Sequence, residues 1–156
     1  VIKRDAESSS PPDAIPHTPT FLDLALSEDV QRAVQASGYE TPTAIQSEII
    51  PYMLDGRDVL AQSQTGTGKT AAFALPILSR IEICQRKPQV LVLAPTRELA
   101  IQVADFFSTY AANVSGFMVA SIYGGTDYEP QLRQLRRGLP DECVAVQNRI
   151  RHAERT

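Results

Sequence analysis

The residues best equipped for chemistry lie in one run, Ala61-Gln62-Ser63-Gln64-Thr65-Gly66-Thr67-Gly68-Lys69-Thr70. Two glycines one residue apart let the backbone take conformations that a side chain would obstruct, so that successive N–H groups converge on an anion. Lys69 supplies a point charge for the outer phosphates of a nucleotide, and Thr70 a hydroxyl for Mg²⁺. The elements that must position this loop flank it. Arg57-Asp58-Val59-Leu60-Ala61 reads as a short buried strand entering the loop, and Ala71-Ala72-Phe73-Ala74-Leu75 as the first turns of the helix leaving it. A helix beginning there sets its free N–H groups and the positive end of its dipole under the phosphates. The strict Gly-x-x-x-x-Gly-Lys-Ser/Thr pattern asks for glycine at position 63; this chain has Ser63, which is small enough to fit.

Three further clusters have both a chemical and a structural reading. In Gly38-Tyr39-Glu40-Thr41-Pro42-Thr43-Ala44-Ile45-Gln46, Thr43 and Gln46 have the spacing of a helix capping box. Gln46 also offers a donor and an acceptor suited to a purine edge, and Phe21, earlier in the chain, is an aromatic that can stack on the same base. Pro95-Thr96-Arg97-Glu98-Leu99-Ala100 reads as a capped helix start with an acidic first turn, or as a site where free N–H groups and Arg97 meet a nucleic-acid phosphate. Gly124-Gly125 permits either a tight turn or the close approach of another backbone. Arg133, Arg136, Arg137, Arg149, Arg151, His152 and Arg155 gather positive charge toward the C-terminus, with a solvated helix face as the default explanation. No nucleophile–histidine–acid arrangement and no metal-ligand spacing is present in the sequence.

The 156 residues suffice for one domain with a sizeable core, and 43% hydrophobic with 21% charged residues is ordinary for a soluble globular protein. No apolar run has the length of a membrane span, and the N-terminus lacks a secretory pattern. Cys84 and Cys143 read as lone thiols of a reducing compartment, so a cytoplasmic location is expected. A net charge of −3 argues against nucleic-acid binding by bulk positive charge, while leaving room for backbone amides and a few arginines.

Residues 1–20, rich in serine and proline, read as a disordered lead-in, with order beginning at Phe21. Beyond them a helix is predicted from Ser27 to Gly38, and another from Thr43 with Ile45, Ile49, Ile50 and Met53 on its apolar face. The helix after the phosphate loop is predicted to reach about Cys84, bent at Pro76. Val90-Leu91-Val92-Leu93-Ala94 has the pattern of a strand buried on both faces. Thr96 caps a helix whose Leu99, Val103, Phe106, Phe107 and Tyr110 are expected to face the sheet. Further strands are predicted at 117–123 and 143–146, with a helix at 129–137 between them. This alternation predicts an α/β fold, a parallel sheet flanked by helices on both faces. Ligands then bind beyond the carboxyl ends of the strands, where the phosphate loop, Pro95-Thr96-Arg97 and Gly124-Gly125 all fall.

Together these motifs, in this order, closely resemble the DEAD-box RNA helicases, over Phe21 to Gly138. Phe21 and Gly38–Gln46 are similar to the family's Q motif, which implies that Phe21, Tyr39, Thr41 and Gln46 hold adenine. AQSQTGTGKT resembles motif I, where the family usually has alanine at the place of Ser63. That implies phosphate contacts from Ser63 to Thr70, ATP as the nucleotide, Lys69 and Thr70 as its catalytic contacts, and Mg²⁺ on the Thr70 hydroxyl. PTRELA resembles motif Ia and Gly124-Gly125 the GG element, which implies that Pro95, Thr96, Arg97, Gly124 and Gly125 touch RNA backbone with little sequence specificity. The resemblance lapses after Gly138. The family's Thr-Pro-Gly-Arg is replaced by Gln147-Asn148-Arg149 and its surroundings, where Arg149 alone keeps the expected type and the expected RNA contact.

The intervening sequence is similar to bacterial cold-shock and ribosome-assembly members, which leaves ribosomal or RNA-decay partners unassigned. The resemblance further implies a partial RecA-like P-loop NTPase domain over 21–156. The family's Asp-Glu-Ala-Asp, the later strands of the sheet and the second domain do not occur in these residues. Two expectations follow. The 156 residues alone do not turn ATP over, and apolar surface on Val59 and Leu60 is exposed for want of neighbouring strands.

Overall fold

The computed structural model describes residues 18–82, 88–114, 116–125, 127, 129–131, 133 and 142–148. After a single 3-10 turn at Phe21–Asp23, helix α1 spans Glu28–Ala36 and buries Val30, Ala33 and Val34 at the three- and four-residue spacing of one helical face. Gly38 takes a φ of +75° just beyond its end. Helix α2 (Ala44–Leu54) follows from its N-cap Thr43 and buries Gln46 and Ile50. Helix α3 (Lys69–Arg80) starts at the phosphate loop and packs along α2. Pro76 lies buried inside α3, which ends at Arg80 where Ile81 turns extended; Cys84 lies outside the described residues.

Strand β1 (Pro88–Ala94), helix α4 (Arg97–Tyr110), strand β2 (Phe117–Ile122) and strand β3 (Glu142–Asn148) complete the order. All strand pairs are parallel, and β3 lies between the other two: Val90, Val144 and Val119 share one rung, and Leu91, Ala145 and Ala120 the next. Of the helix predicted over 129–137, Glu129, Pro130, Gln131 and Arg133 are helical and the remainder falls outside the described residues, as do residues 1–17 and Arg149.

The core forms where α4 lies on the sheet. Phe107 is wholly buried, with Ala100, Val103 and Ala104 beside it and Val90, Val92, Phe117 and Val119 packed against the cluster. Burying a phenylalanine in this way contributes roughly 1.5–3 kcal/mol. Helices α1 and α3 extend the same core through Val34, Ala74, Leu75 and Leu78.

Two expectations need correction. Residues 57–61 form no strand; Val59 is partly exposed and Leu60 is fully exposed. A strand exists only through its ladder of partners, and among the described residues no strand runs beside this segment. The expected exposure of Val59 and Leu60 is therefore present, without the strand. Nor is β1 buried on both faces. Side chains alternate along a strand, so Val90 and Val92 turn toward the core while Leu91 and Leu93 turn away, 59% and 70% exposed. Helix α4 packs on the face toward which Val90 and Val92 turn.

Candidate nucleotide site and nucleic-acid edge

The phosphate loop is fixed by hydrogen bonds from the helix that precedes it. Gly68, the N-cap of α3, has a φ of +81°, as does Gly66. A side chain is excluded at Gly68 on two counts, since a β-carbon there would also collide with Nε2 of Gln46. That Gln46 nitrogen donates to the Gly68 carbonyl at 3.1 Å, while its Oε1 accepts from the Thr43 backbone N–H at 2.9 Å. The Thr43 hydroxyl donates to the Thr67 carbonyl at 2.9 Å. The capping box read from the sequence is thus present, and the same two side chains tie helix α2 to the loop. Gln46 is 4% exposed, and each end of its amide retains capacity for one more hydrogen bond.

Inside the loop, the Lys69 ammonium donates to the carbonyls of Ser63 and Gln64, the latter at 2.6 Å. The Thr67 hydroxyl donates to Gln64 O at 2.8 Å. Its contact with the Ser63 hydroxyl at 2.6 Å therefore takes its proton from Ser63. The ammonium keeps a third N–H, and a phosphate oxygen there, or in place of a carbonyl, would add charge pairing.

A cavity of about 570 Å³ opens over this loop. Thr65, Gly66, Gly68, Lys69 and Thr70 form its polar end, and Phe21, Tyr39, Thr41 and Gln46 the other. That volume lies within the range of small-molecule sites, and a polar floor with an apolar wall is what a nucleotide needs. Ser63, Gln64 and Thr67 serve the loop through hydrogen bonds instead. Phe21 is buried and meets Tyr39 edge-on at 6.5 Å, so it acts as a wall of the cavity.

Residues missed by sequence reasoning close the opposite side. Leu99, Gln102, Phe106 and Tyr110 of α4 line the cavity, and Phe106 stacks on Tyr110 at 4.3 Å. Of these, Leu99, Phe106 and Tyr110 were expected to face the sheet. Their spacing marks a second stripe of α4, one residue offset from Val103 and Phe107, and that offset is the signal that distinguishes them. Burial is the main cause that pushes the Tyr110 phenol above its ordinary value, so it stays neutral at physiological pH.

At the carboxyl ends of β1 and β2 lies a second cluster. The Thr96 hydroxyl accepts from the Leu99 N–H at 3.2 Å and caps α4, with Pro95 exposed before it. Arg97 sits with its guanidinium carbon 4.6 Å from the centre of the Tyr123 ring. Gly125, at φ +85°, lies close enough that a β-carbon there would come 3.8 Å from Arg97 Nη1; a β-carbon at Gly124 would meet nothing within 4 Å. The fold thus brings Arg97 and the two glycines together. Tyr123, which holds the arginine, was not singled out from the sequence. Among the described residues no group of three or more His, Cys, Asp and Glu side chains could hold a metal ion, and no described helix is long and apolar enough to cross a membrane.

A parallel sheet, a glycine loop fixed to a helix N-terminus, and a lysine and threonine at that terminus define an α/β phosphate-loop nucleotide-binding domain. The chain belongs to the DEAD/DEAH box helicase family, whose model it matches over residues 43–155. It is 50% identical over 131 residues to the ATP-dependent RNA helicase DeaD of Klebsiella pneumoniae, a match covering 84% of this chain and 20% of that protein. To the ATP-dependent RNA helicase DeaD of Mycobacterium tuberculosis (strain CDC 1551 / Oshkosh) it is 52% identical over 136 residues, covering 87% and 24%. The chain thus spans a fifth to a quarter of the length of these relatives. Among solved structures it resembles a DEAD box protein from the hyperthermophile Methanococcus jannaschii, with a TM-score of 0.73 and 35% identity over 83% of this chain and 34% of that one. The fold is accordingly the RecA-like fold of that family, represented here by three strands among the described residues.

Proposed function

We propose that these residues hold the ATP of an ATP-dependent RNA helicase and present one edge of its RNA path. The observation that carries this reading is the Thr43–Gln46 grip on the carbonyls of Thr67 and Gly68, which joins the Phe21–Tyr39 end of the cavity to the phosphate cradle at its other end. Lys69 and the N-terminal amides of α3 would hold the phosphates. Phe21, Tyr39, Thr41 and Gln46 would hold the base, and the Thr70 hydroxyl, with phosphate oxygens, would hold Mg²⁺. The metal would neutralise charge during phosphoryl transfer, a reaction that depends on positioning and electrostatics. Arg97, with Pro95, Thr96, Gly124 and Gly125, would meet the RNA backbone; such contacts position a strand without reading its sequence. Arg149 remains part of this proposal, and a cytoplasmic location accompanies it.

Titrating ATP and GTP against the chain and two variants tests the assignment. ATP should bind in preference to GTP. Lys69→Ala should weaken ATP binding about ten- to a hundredfold, the worth of a charged hydrogen bond. Gln46→Ala should weaken it about fivefold and abolish the preference. Equal binding of both nucleotides, indifferent to Gln46→Ala, would overturn the adenine reading. Hydrolysis is a separate matter: the 156 residues contain no Asp-Glu-Ala-Asp, and alone they should show no RNA-stimulated turnover. An RNA-dependent rate abolished by Lys69→Ala would refute that.

A further inference from the structure

We propose that Tyr123 and Gln131 are positioning residues for RNA binding, holding Arg97 in the orientation in which it meets a backbone phosphate. The inference rests on the assignment of Arg97 to the RNA edge made above, and names how that edge is built.

Arginine loses several rotatable bonds' worth of freedom on meeting a phosphate, so an arginine already held in place binds with less entropic cost. Arg97 begins α4 and projects over the Tyr123 ring at 4.6 Å, inside the distance at which the ring's negative face attracts a cation. Among the described residues it makes no ion pair. The contact is with a neutral ring and not with a carboxylate, so it leaves the guanidinium's charge available for phosphate.

Tyr123 is itself fixed, although it lies one residue past the end of β2 and outside the ladder. The Gln131 side chain replaces the missing strand partner. Its Oε1 accepts from the Tyr123 backbone N–H at 3.1 Å, and its Nε2 donates to the Tyr123 carbonyl at 3.1 Å. One amide thus satisfies both backbone groups of the residue that carries the ring. The following Gly124-Gly125 leaves open space beside the arginine, where a β-carbon at Gly124 would meet nothing within 4 Å. A backbone phosphate fits an arginine held beside a ring, its charge without an ion pair among the described residues and a side-chain-free turn alongside.

The test pairs an RNA-free measurement with an RNA-binding one. Phenylglyoxal modification of Arg97, followed by mass spectrometry, reports whether the guanidinium is covered. The rate should rise severalfold in Tyr123→Leu and stay near the original in Tyr123→Phe, which keeps the ring. An unchanged rate in Tyr123→Leu would overturn the clamp whatever RNA does. Fluorescence anisotropy with a labelled oligouridylate, repeated over a salt series, then reports function. Tyr123→Leu should weaken binding about fivefold. It should also reduce the slope of log affinity against log salt by about 0.7, the share of one phosphate contact on a single strand. Tyr123→Phe should restore both.

Gln131→Glu is close in shape but cannot donate to the Tyr123 carbonyl, and should fall in the same direction as Tyr123→Leu. Adding Tyr123→Leu to Arg97→Ala should produce no further loss, because the tyrosine acts through the arginine. Additive losses, or Phe behaving like Leu, would overturn the proposal. Should Arg97→Ala itself leave RNA affinity unchanged, the RNA assignment of Arg97 fails, and the modification rates still report independently on the clamp.

Discussion

Two consecutive segments, 57–61 and 62–70, carry equally clear sequence signals and meet opposite fates. The second becomes the phosphate loop, held by Thr43, Gln46 and its own hydroxyls. The first has the composition of a buried strand and ends with Leu60 fully exposed. The difference is one of range. A glycine loop is specified by conformations that only glycine reaches and by partners on adjoining elements. A strand is specified by neighbours, and its apolar residues say only that something should cover them.

The largest effect expected on this contrast comes from Gly68→Ala. The left-handed backbone alone costs about 1–2 kcal/mol in a residue with a side chain. The new β-carbon also displaces Gln46 from the Gly68 carbonyl. ATP affinity should fall more than about tenfold, with a matching loss in melting temperature. A variant that binds ATP normally would show that the loop is not fixed by α2 and would erase its distinction from 57–61.

The same contrast explains what was legible in the chain. Thr96 as a cap, Thr43 with Gln46 as a capping box, and the run from Ser63 to Thr70 are local patterns, and each is found where its residues placed it. The strands at β1, β2 and β3 were legible as apolar runs between turns. Their order was not, since β3 enters between its predecessors through contacts that no local pattern encodes. Nor did the apolar residues of α4 reveal how they divide: of these two places Val103 and Phe107 serve the core alone, while Tyr110 in the core cluster and Phe106 packed against it also line the nucleotide cavity. Tyr123 was hidden for a related reason, because its partner Arg97 is distant in sequence and adjacent only in the fold.

A smaller effect should come from Ser63→Ala. Its hydroxyl donates to Thr67 within the loop, and losing one such hydrogen bond between partly buried groups costs less than about 1 kcal/mol. Thr67 keeps its bond to the Gln64 carbonyl, so the loop should retain its shape and ATP affinity should fall no more than about fivefold. A greater loss in nucleotide titrations would make Ser63 a structural requirement of the loop, more than a residue that merely fits.

The smallest effect tests the other segment. Leu60 makes no buried contact, so Leu60→Ser should change stability to unfolding by less than about 0.5 kcal/mol. Together with Leu91 and Leu93, however, it presents apolar surface to water, and such surface drives association. Sedimentation of the original chain should therefore show self-association that Leu60→Ser and Leu93→Ser reduce, while ATP affinity stays as it was. The two measurements separate the segments cleanly, because a leucine already in water has little folding free energy to lose. A loss of more than about 1 kcal/mol on Leu60→Ser would instead mean that residues 57–61 are packed in solution as a partnered strand. The strand expectation would then be right, and the exposed segment would be the half of this comparison that breaks.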